Sequence, residues 1–219
     1  PLAAASSLKK GWAEQADDFA DYLTGMTPEQ ASMLETDKDG KAVDADLLSG
    51  CTIRVDKYRD AVAKACASAA PLGGAKGDRV SLGVEAENGS SDITATDDKD
   101  VNAQVDVSIV ALTTDADRRV TSAIADMAEP ALTVVSDGGV TAPDLVKTKL
   151  ELGDDYNMKK YASPAAVGEW YEQANAFEAY CIGKTADEVA GMPLGENAHG
   201  YTDAPAAEEL KSTCTISVT

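Results

Sequence analysis

A seven-residue segment of the chain combines a carboxylate, two hydroxyls, a glycine and a small residue, in the order Asp46-Leu-Leu-Ser-Gly-Cys-Thr52. The glycine and the small side chain before the final threonine let a phosphate approach the backbone closely. An alanine-rich helical stretch follows within a few residues, and N–H groups at the start of a helix bind anions. The spacing therefore predicts a phosphate-binding position at Thr52. Its candidate neighbours are Asp46, Ser49 and Gly50.

A second segment, Glu209-Leu-Lys-Ser-Thr-Cys-Thr215, repeats this pattern with two departures. Glu209 stands in place of the aspartate, and Thr213 stands in place of the glycine. Thr215 and Ser212 are therefore candidates that match the pattern less well.

Other residue types that carry chemistry show no supporting pattern. The four cysteines have neither CxxC pairs nor the spacing of metal ligands, which excludes zinc and thioredoxin-type sites. His199 is the single histidine and has no assignable serine or cysteine partner, so a catalytic triad has little support. The acidic turn 37–40 has its glycine at the fourth position and Leu48 at the twelfth, which does not fit an EF-hand loop. We predict no metal site and no catalytic residue.

The segments that must position these motifs occur twice in the chain. Residues 12–27 and 170–185 lie 158 positions apart, and eight of their sixteen residues are identical. Residues 47–55 and 210–218 align at an offset of 163, and five extra residues in the loop 195–203 account for the difference. This self-similarity predicts an internal duplication.

The first repeated block predicts a helix that ends at a glycine. Trp12, Ala16, Phe19 and Leu23 share one helical face, and Gly25 follows. This face is interpreted as core packing. Cys181 takes the place of Leu23 in the second copy and is predicted to be a small buried side chain.

Between the copies lies a segment of alternating apolar and β-branched residues that predicts antiparallel strands. The predicted strands are joined by turns at 114–118 and 137–139, and they comprise residues 79–87, 103–112, 120–127 and 131–135.

The chain is accordingly predicted to be α+β, with tandem units in which an antiparallel sheet packs against helices. Residues 1–70 would form the helical C-terminal part of a first repeat domain, and 71–77 a linker. Residues 78–219 would form the second domain, with strands in 79–135 and the helical part and motif in 165–219. The helix after the first motif has no counterpart after Thr215, because the second copy stops at Thr219.

The Asp46–Thr52 segment resembles the flavinylation motif of the extracytoplasmic FMN-binding domain family, which reads Asp, two residues, Ser/Thr, Gly, Ala/Ser, Thr. This family includes Rnf- and Nqr-type redox subunits and some Gram-positive surface lipoproteins. The resemblance implies that Thr52 is joined to FMN through a phosphodiester bond made by a flavin transferase, with Asp46, Ser49 and Gly50 as recognition positions. Cys51 departs from the family's Ala/Ser.

Three further segments, 149–159, 169–173 and 183–189, look like a largely uncharacterised group of duplicated proteins from Gram-positive anaerobes. Members of this group are secreted or lipid-anchored. The resemblance implies an extracytoplasmic, exported protein that is either secreted or lipid-anchored through a segment not present here.

The net charge of the chain limits the classes of partner that it can bind. It carries 38 acidic and 19 basic residues, a formal net charge of −19, and no run rich in Lys or Arg. This composition argues against nucleic acid and anionic membrane surfaces as partners. A continuous apolar stretch long enough to span a bilayer is also lacking, so we expect no membrane-spanning segment.

Two functions follow as hypotheses. In the first, the chain is a flavin carrier in electron transfer and not an enzyme, with FMN at Thr52 packed against the Trp12 and Tyr22 end of the first repeat. In the alternative, degenerate FMN-binding-like domains form a non-enzymatic surface structural, adhesion or filament subunit. Its partners would be neighbouring copies of the chain.

Overall fold

The computed structural model describes residues 2–89, 100–136, 138–162, 166–198 and 200–218. His199, Thr219 and the first residue of the turn expected at 137–139 lie outside this part of the chain. The chain divides into two compact units, unit 1 (Pro1–Pro71) and unit 2 (Leu72–Thr219).

Unit 1 is helical, and the helix ends follow the local sequence. Helix α2 begins after Gly11, whose N–H donates to Glu14 Oε2, and Gly25 with φ +87° follows its end. Thr27 caps α3 by accepting a hydrogen bond from the N–H of Gln30, whose side chain accepts from Thr27 N–H in return. The helices are α1 (Leu2–Ala5), α2 (Trp12–Leu23), α3 (Pro28–Ser32), α4 (Ala45–Leu48) and α5 (Asp56–Ala67).

The core of unit 1 lies where α2 and α4 meet the loops that follow α3 and α4. Helix α5 packs against α3, yet it contributes no buried residue. The buried core side chains are Phe19, Leu34, Ala42, Leu47, Cys51 and Val55.

Unit 2 contains an antiparallel sheet, and the α+β prediction is confirmed. The 14-residue strand β2 pairs with β1 along one edge and with β3 and then β4 along the other. A short fifth strand pairs with β4. The strands are β1 (Arg79–Asn88), β2 (Val101–Thr114), β3 (Val120–Ala128), β4 (Ala131–Val134) and β5 (Val140–Thr141).

The turn predicted between β2 and β3 is closed by an aspartate. Asp115 Oδ1 accepts hydrogen bonds from the N–H groups of Asp117 and Arg119, both at 2.9 Å. Arg118 adopts a left-handed conformation with φ +62°. These bonds satisfy the turn backbone and thereby hold the β2–β3 register.

The helices of unit 2 follow the sheet in the chain. A 3₁₀ turn, Gly153–Tyr156, connects the first two of them. The remaining elements are α6 (Lys149–Leu152), α7 (Met158–Tyr161), α8 (Trp170–Cys181), α9 (Ala186–Ala190) and two short paired strands, β6 (Leu194–Gly195) and β7 (Ala204–Pro205).

Helix α8 is attached to β3. The carboxylate of Glu178 accepts a 2.7 Å hydrogen bond from the N–H of Ala125. After the helix, Gly183 N–H donates to the carbonyl of Val120 at 2.8 Å, and Val120 N–H donates to the carbonyl of Lys184 at 2.9 Å. These bonds fix one face of α8 on the sheet. A second buried cluster forms behind the helix from Met192, Ala207, Leu210 and Cys214.

Within the described ranges, none of the helices has the length and apolar character needed to cross a membrane.

Candidate functional site

The motif residues of unit 1 lie on and after the short helix α4. Asp44 caps this helix, with its Oδ1 accepting from the N–H groups of Asp46 and Leu47 at 3.0 and 3.1 Å. Leu47 is thereby turned into the core and is 2% exposed, while Asp46 remains on the surface. The hydroxyl of Ser49 donates to the carbonyl of Asp46 at 2.7 Å. The local structure therefore uses Ser49 to close the last turn of α4.

Thr52 is held by a glutamine on α2. Its N–H and its hydroxyl both donate to Gln15 Oε1, at 2.8 and 3.0 Å. Gln15 is fully buried, and its Nε2 donates to the carbonyl of Lys10 at 3.0 Å and to the Ser6 hydroxyl at 3.3 Å. The hydroxyl expected to carry a phosphodiester thus donates to an internal partner, and an ester at this oxygen would remove that hydrogen bond.

The N–H groups at the start of α5, which we expected to face a phosphate, have another partner as well. The N–H groups of Val55 and Asp56 donate to the carbonyl of Gly40 at 2.7 and 3.1 Å. Gly40 needs its φ of +76°, and a Cβ there would lie 2.6 Å from the Asp56 carboxylate. Arg54 forms a bidentate pair with Asp56 and lowers the pKa of that carboxyl to about 2. An anionic side chain therefore already stands at this helix N-terminus.

The surroundings of the motif are acidic. Gly50 lets the Asp18 side chain approach, since a Cβ at this position would lie 3.0 Å from it. Asp18 is paired with Lys10. The pKa of the nearby Tyr22 hydroxyl is raised by burial and by Asp44. A phosphate here would meet more carboxylates than cations.

The same arrangement occurs around the second motif, in unit 2. Thr215 donates through its N–H and its hydroxyl to Gln173 Oε1, again at 2.8 and 3.0 Å. Gln173 is fully buried and its Nε2 donates to the carbonyl of Gly168 at 2.9 Å, the position that corresponds to Lys10. Ser212, like Ser49, lies on the surface at the end of the preceding turn.

The glutamines are the residues that sequence reasoning missed. Gln15 and Gln173 are identical residues of the first repeated block, at the predicted offset of 158. The identity of these two glutamines was the signal that could have revealed their role, but the prediction considered only the apolar stripe of the helix. A buried polar side chain that is present in both segments is typical of one that satisfies backbone groups.

Other local features coincide at the two offsets. Leu47 and Leu210 are each 2% exposed, and Cys51 and Cys214 are 1% and 0% exposed. The bridge between Thr36 and Ala42 corresponds to the pairing of Leu194 with Pro205. The longer loop lies between the latter pair, at 195–204.

An apolar groove of about 400 Å³ lies between α2 and α5 in unit 1. Trp12 and Tyr58 stand at its mouth, with ring centroids 6.2 Å apart, and Ile53, beside Thr52, is part of its lining. Trp12 is 52% exposed. Tyr22 packs on the core cluster near the other end of α2, so Trp12 and Tyr22 do not share one end of the repeat.

Unit 2 has a larger, open cavity of about 1360 Å³. Its walls are the sheet face that carries Gly83 and Val110, helix α8 with Trp170 and Phe177, and the segment around Ile216. Among the described residues that line it, Lys149 is the one cation, and the carboxylates are Glu85, Glu87, Asp106, Asp126, Glu129 and Asp203.

The cysteines are all free thiols in the structure. Burial raises the pKa of the Cys181 and Cys214 thiols to about 11 each, and it also raises the pKa of Cys51. Cys181 is 8% exposed, as predicted for a small buried side chain. Within the described part of the chain, no group of His, Cys, Asp and Glu side chains is arranged to hold a metal ion.

Comparisons of the chain with protein-family models, with curated proteins and with solved structures gave no match.

Proposed function

We propose that this protein is a non-enzymatic, exported structural subunit, built from two FMN-binding-like units related by duplication, that associates with copies of itself. One observation carries the proposal: an apolar face of the sheet in unit 2 is exposed. Val80 and Leu82 of β1 are 80% and 69% exposed.

These side chains form part of a wider apolar surface. Leu82 pairs with Ala111 of β2, which in turn pairs with Ile124 of β3, itself 40% exposed. Residues at alternate positions of a strand share one face, so this row lies opposite the face that α8 covers. Apolar surface of this kind marks a protein contact. An edge strand such as β1 also offers backbone donors and acceptors to a second chain.

The repeated glutamine–threonine bonds support a structural role for the motif. In both units the threonine hydroxyl and N–H satisfy a buried glutamine. The motif residues thus stabilise each unit from within.

A covalent flavin carrier is the second candidate function, and two observations favour it. The Asp46–Thr52 segment matches the flavinylation pattern at all positions except Cys51. The apolar groove beside Ile53, with Trp12 and Tyr58 at its mouth, has the size of a ligand pocket, which is about 300–1,000 Å³. A flavin transferase would be the required partner.

Intact mass and visible absorption of the chain, produced together with a flavin transferase, test the choice between the two. The structural subunit predicts a colourless protein of unmodified mass. A mass gain of one FMN with a flavin absorption band, lost in Thr52→Ala and kept in Thr215→Ala, would overturn it in favour of the carrier. Thr215→Ala is the matched control because it loses the same hydrogen bonds in the other unit.

Self-association is tested by sedimentation of the full chain. We expect oligomers whose size depends on protein concentration. Leu82→Lys should raise their dissociation constant at least tenfold, because a charge on this face opposes its burial. Oligomers unaffected by Leu82→Lys, or a monomer at all concentrations, would contradict association through β1.

A further inference from the structure

Strand β1 forms an open edge of the sheet in unit 2. Among the described residues, β2 is the one strand that pairs with β1, and all ten residues of β1 are exposed. Proteins usually protect such an edge with proline, lysine, a bulge or a very short strand. Arg79–Asn88 contains neither proline nor lysine, and its register with β2 is continuous over ten residue pairs. The edge is therefore suited to pairing with another strand.

The hydrogen bonds to β2 show which backbone groups of β1 point outward. Just after the strand, Gly89 N–H donates to the carbonyl of its opposite residue, Gln104, at 3.1 Å. Hydrogen-bonded pairs alternate along an antiparallel ladder, so the odd-numbered residues of β1 bond to β2. The N–H and C=O groups that point away from the sheet are those of Val80, Leu82, Val84, Ala86 and Asn88.

The sequence of β1 is complementary to itself. When a second copy of the strand lies antiparallel with Gly83 opposite Gly83, Arg79 of each copy lies opposite Glu87 of the other. Opposite charges directly across an antiparallel pair stabilise the pairing. The other opposite residues in this register are Val80 with Ala86, Ser81 with Glu85 and Leu82 with Val84.

Neighbouring registers do not satisfy the same conditions. Outward-pointing groups bond to each other when even-numbered residues lie opposite even-numbered ones, so the twofold axis must pass through a residue. With the axis at Leu82, Glu87 has no opposite residue in β1, and with the axis at Val84, Arg79 has none. The register centred on Gly83 is thus the one that places every charged residue of β1 opposite a residue of the second strand.

We propose that two copies of the chain pair antiparallel through β1, about a twofold axis at Gly83, and join their sheets into one. The interface is isologous, so each contact occurs twice. This inference rests on the proposed function, since it gives the surface and the register through which the structural subunit contacts a second copy.

Cysteine cross-linking of the full chain tests the register. The background is Cys66→Ser, because the other three thiols are buried. At Gly83 a Cβ meets only the Val110 carbonyl oxygen, at 3.9 Å, so a side chain fits. Opposite residues of a non-hydrogen-bonded pair have Cα atoms about 4.5 Å apart, within the range of a disulfide. Mild oxidation with diamide should therefore link Gly83→Cys into a dimer, seen on non-reducing electrophoresis.

Two single variants are the matched controls for the cross-link. Ser81→Cys and Glu85→Cys should each form little dimer alone, because identical residues lie four positions out of register, about 13 Å apart. An equimolar mixture of the two should form a mixed dimer, since Ser81 lies opposite Glu85 in this register.

A proline on the edge tests the backbone bonds. Val84→Pro removes an outward N–H and no hydrogen bond to β2, which an edge strand tolerates. It should raise the dissociation constant of the dimer at least tenfold, because both copies lose a hydrogen bond. Val84→Thr keeps the N–H and should change this constant by less than about threefold. Circular dichroism checks that both variants fold.

A charge reversal tests the Arg79–Glu87 pairs. Glu87→Arg places two arginines opposite each other twice per dimer and should raise the dissociation constant at least threefold. Adding Arg79→Glu in the same chain restores opposite charges and should return the constant to within about twofold of wild type. A double variant as weak as Glu87→Arg alone would contradict this pairing.

A Gly83→Cys chain that forms no linked dimer would overturn the inference, as would Ser81→Cys that links equally well by itself. If such chains still associate and Leu82→Lys weakens the association, the inference alone fails and the proposed function stands. A flavin-loaded chain that forms the Gly83→Cys link would contradict the proposed function and support this interface. A monomer at all concentrations would contradict both.

Discussion

The two units build the same local structure from similar sequences, yet the first helix of each repeat is covered differently. Trp12 of α2 is 52% exposed, whereas Trp170 of α8 is 7% exposed. Trp170 lies under Lys149, whose Nζ is 5.5 Å from the indole centroid and pairs with Glu129 at 2.7 Å. Burial of the tryptophan is thus determined by the neighbouring elements and not by the helix that carries it.

One position on these helices shows how the sequence responds to the difference. Glu178 binds the N–H of Ala125 on the sheet, and burial raises the pKa of its carboxyl. The corresponding residue of α2 is Ala20, which is exposed. Both units have the glutamine that satisfies the motif threonine, whereas the residue that meets the sheet in unit 2 differs between them. The hydrogen bonds within the repeated segments are therefore the same in both units, whereas the contacts to neighbouring elements differ.

The largest expected effect tests the difference in solvent exposure between Trp12 and Trp170. Trp170→Ala should lower the free energy of unfolding of unit 2 by about 3–5 kcal/mol, because it empties a buried site. Trp12→Ala should cost unit 1 only about 1 kcal/mol, since half of its side chain already faces water. Urea unfolding of the full chain, followed by far-ultraviolet circular dichroism, measures both. Equal losses would show that the two helices are covered alike.

The next effect tests what the units share. Gln15→Leu and Gln173→Leu should each cost about 2–3 kcal/mol, because each leaves buried backbone donors and acceptors unsatisfied. The losses should agree within about 1 kcal/mol. Asp17→Leu and Asn175→Leu, exposed positions of the same helices, are the matched controls and should change stability by less than about 0.5 kcal/mol. A loss in only one unit would break the equivalence.

The stability of the two units should also depend on pH in different ways. The pKa of Cys181 and Cys214 is about 11 in the folded state, above the ordinary value of 9. Between these values the unfolded chain loses thiol protons that the folded chain keeps, so stability is full below pH 9 and falls as the pH rises toward 11.

Unit 1 has Leu23 at the position of Cys181, so Cys181→Leu should reduce this alkaline loss in unit 2 by on the order of 1 kcal/mol. The comparison is made by measuring the free energy of unfolding of the wild-type chain and of Cys181→Leu at about pH 8.5 and about pH 10.5. An unchanged pH slope in the variant would contradict the assignment to this thiol.

The smallest effect concerns the helix caps. Thr27→Ala and Thr185→Ala each remove a side chain that accepts from the N–H three residues on, at 3.3 Å in both units. Each should cost about 1 kcal/mol in the thermal unfolding of its own unit. An unchanged unfolding temperature in both variants would contradict this role of the caps.

Much of the fold could be predicted from local patterns. The strand predicted at 103–112 from alternation extends over Val101–Thr114, and the alanine-rich helix predicted after the first motif is α5, Asp56–Ala67. The glycine at the end of the helix in each repeated block was predicted from its position after the apolar stripe, and Gly25 and Gly183 follow α2 and α8 with positive φ. Such features depend on residues only a few positions apart, which is why a single sequence is sufficient to place them.

The partners of the motif residues could not be predicted in this way. Thr52 lies 37 residues from Gln15, and no local rule relates a threonine after a helix to a glutamine on an earlier one. Likewise, the Gly40 carbonyl that takes the N–H groups of Val55 and Asp56 comes from a distant turn. These hydrogen bonds form only when the chain packs, so the expectation of a phosphate at this position was made without them.

The sequence by itself determined which segments form the longer helices and the strands of the sheet, and which segments repeat, because these follow from spacing and backbone preference. Only the tertiary structure decided which repeated surfaces are covered. The apolar stripes that begin at Trp12 and at Trp170 have the same spacing, but their burial depends on what packs against them. In unit 1 this is α4 with the loops that follow α3 and α4, and in unit 2 it is α6 and strand β3 of the sheet. Solvent exposure is a property of that packing, and residue type alone does not specify it.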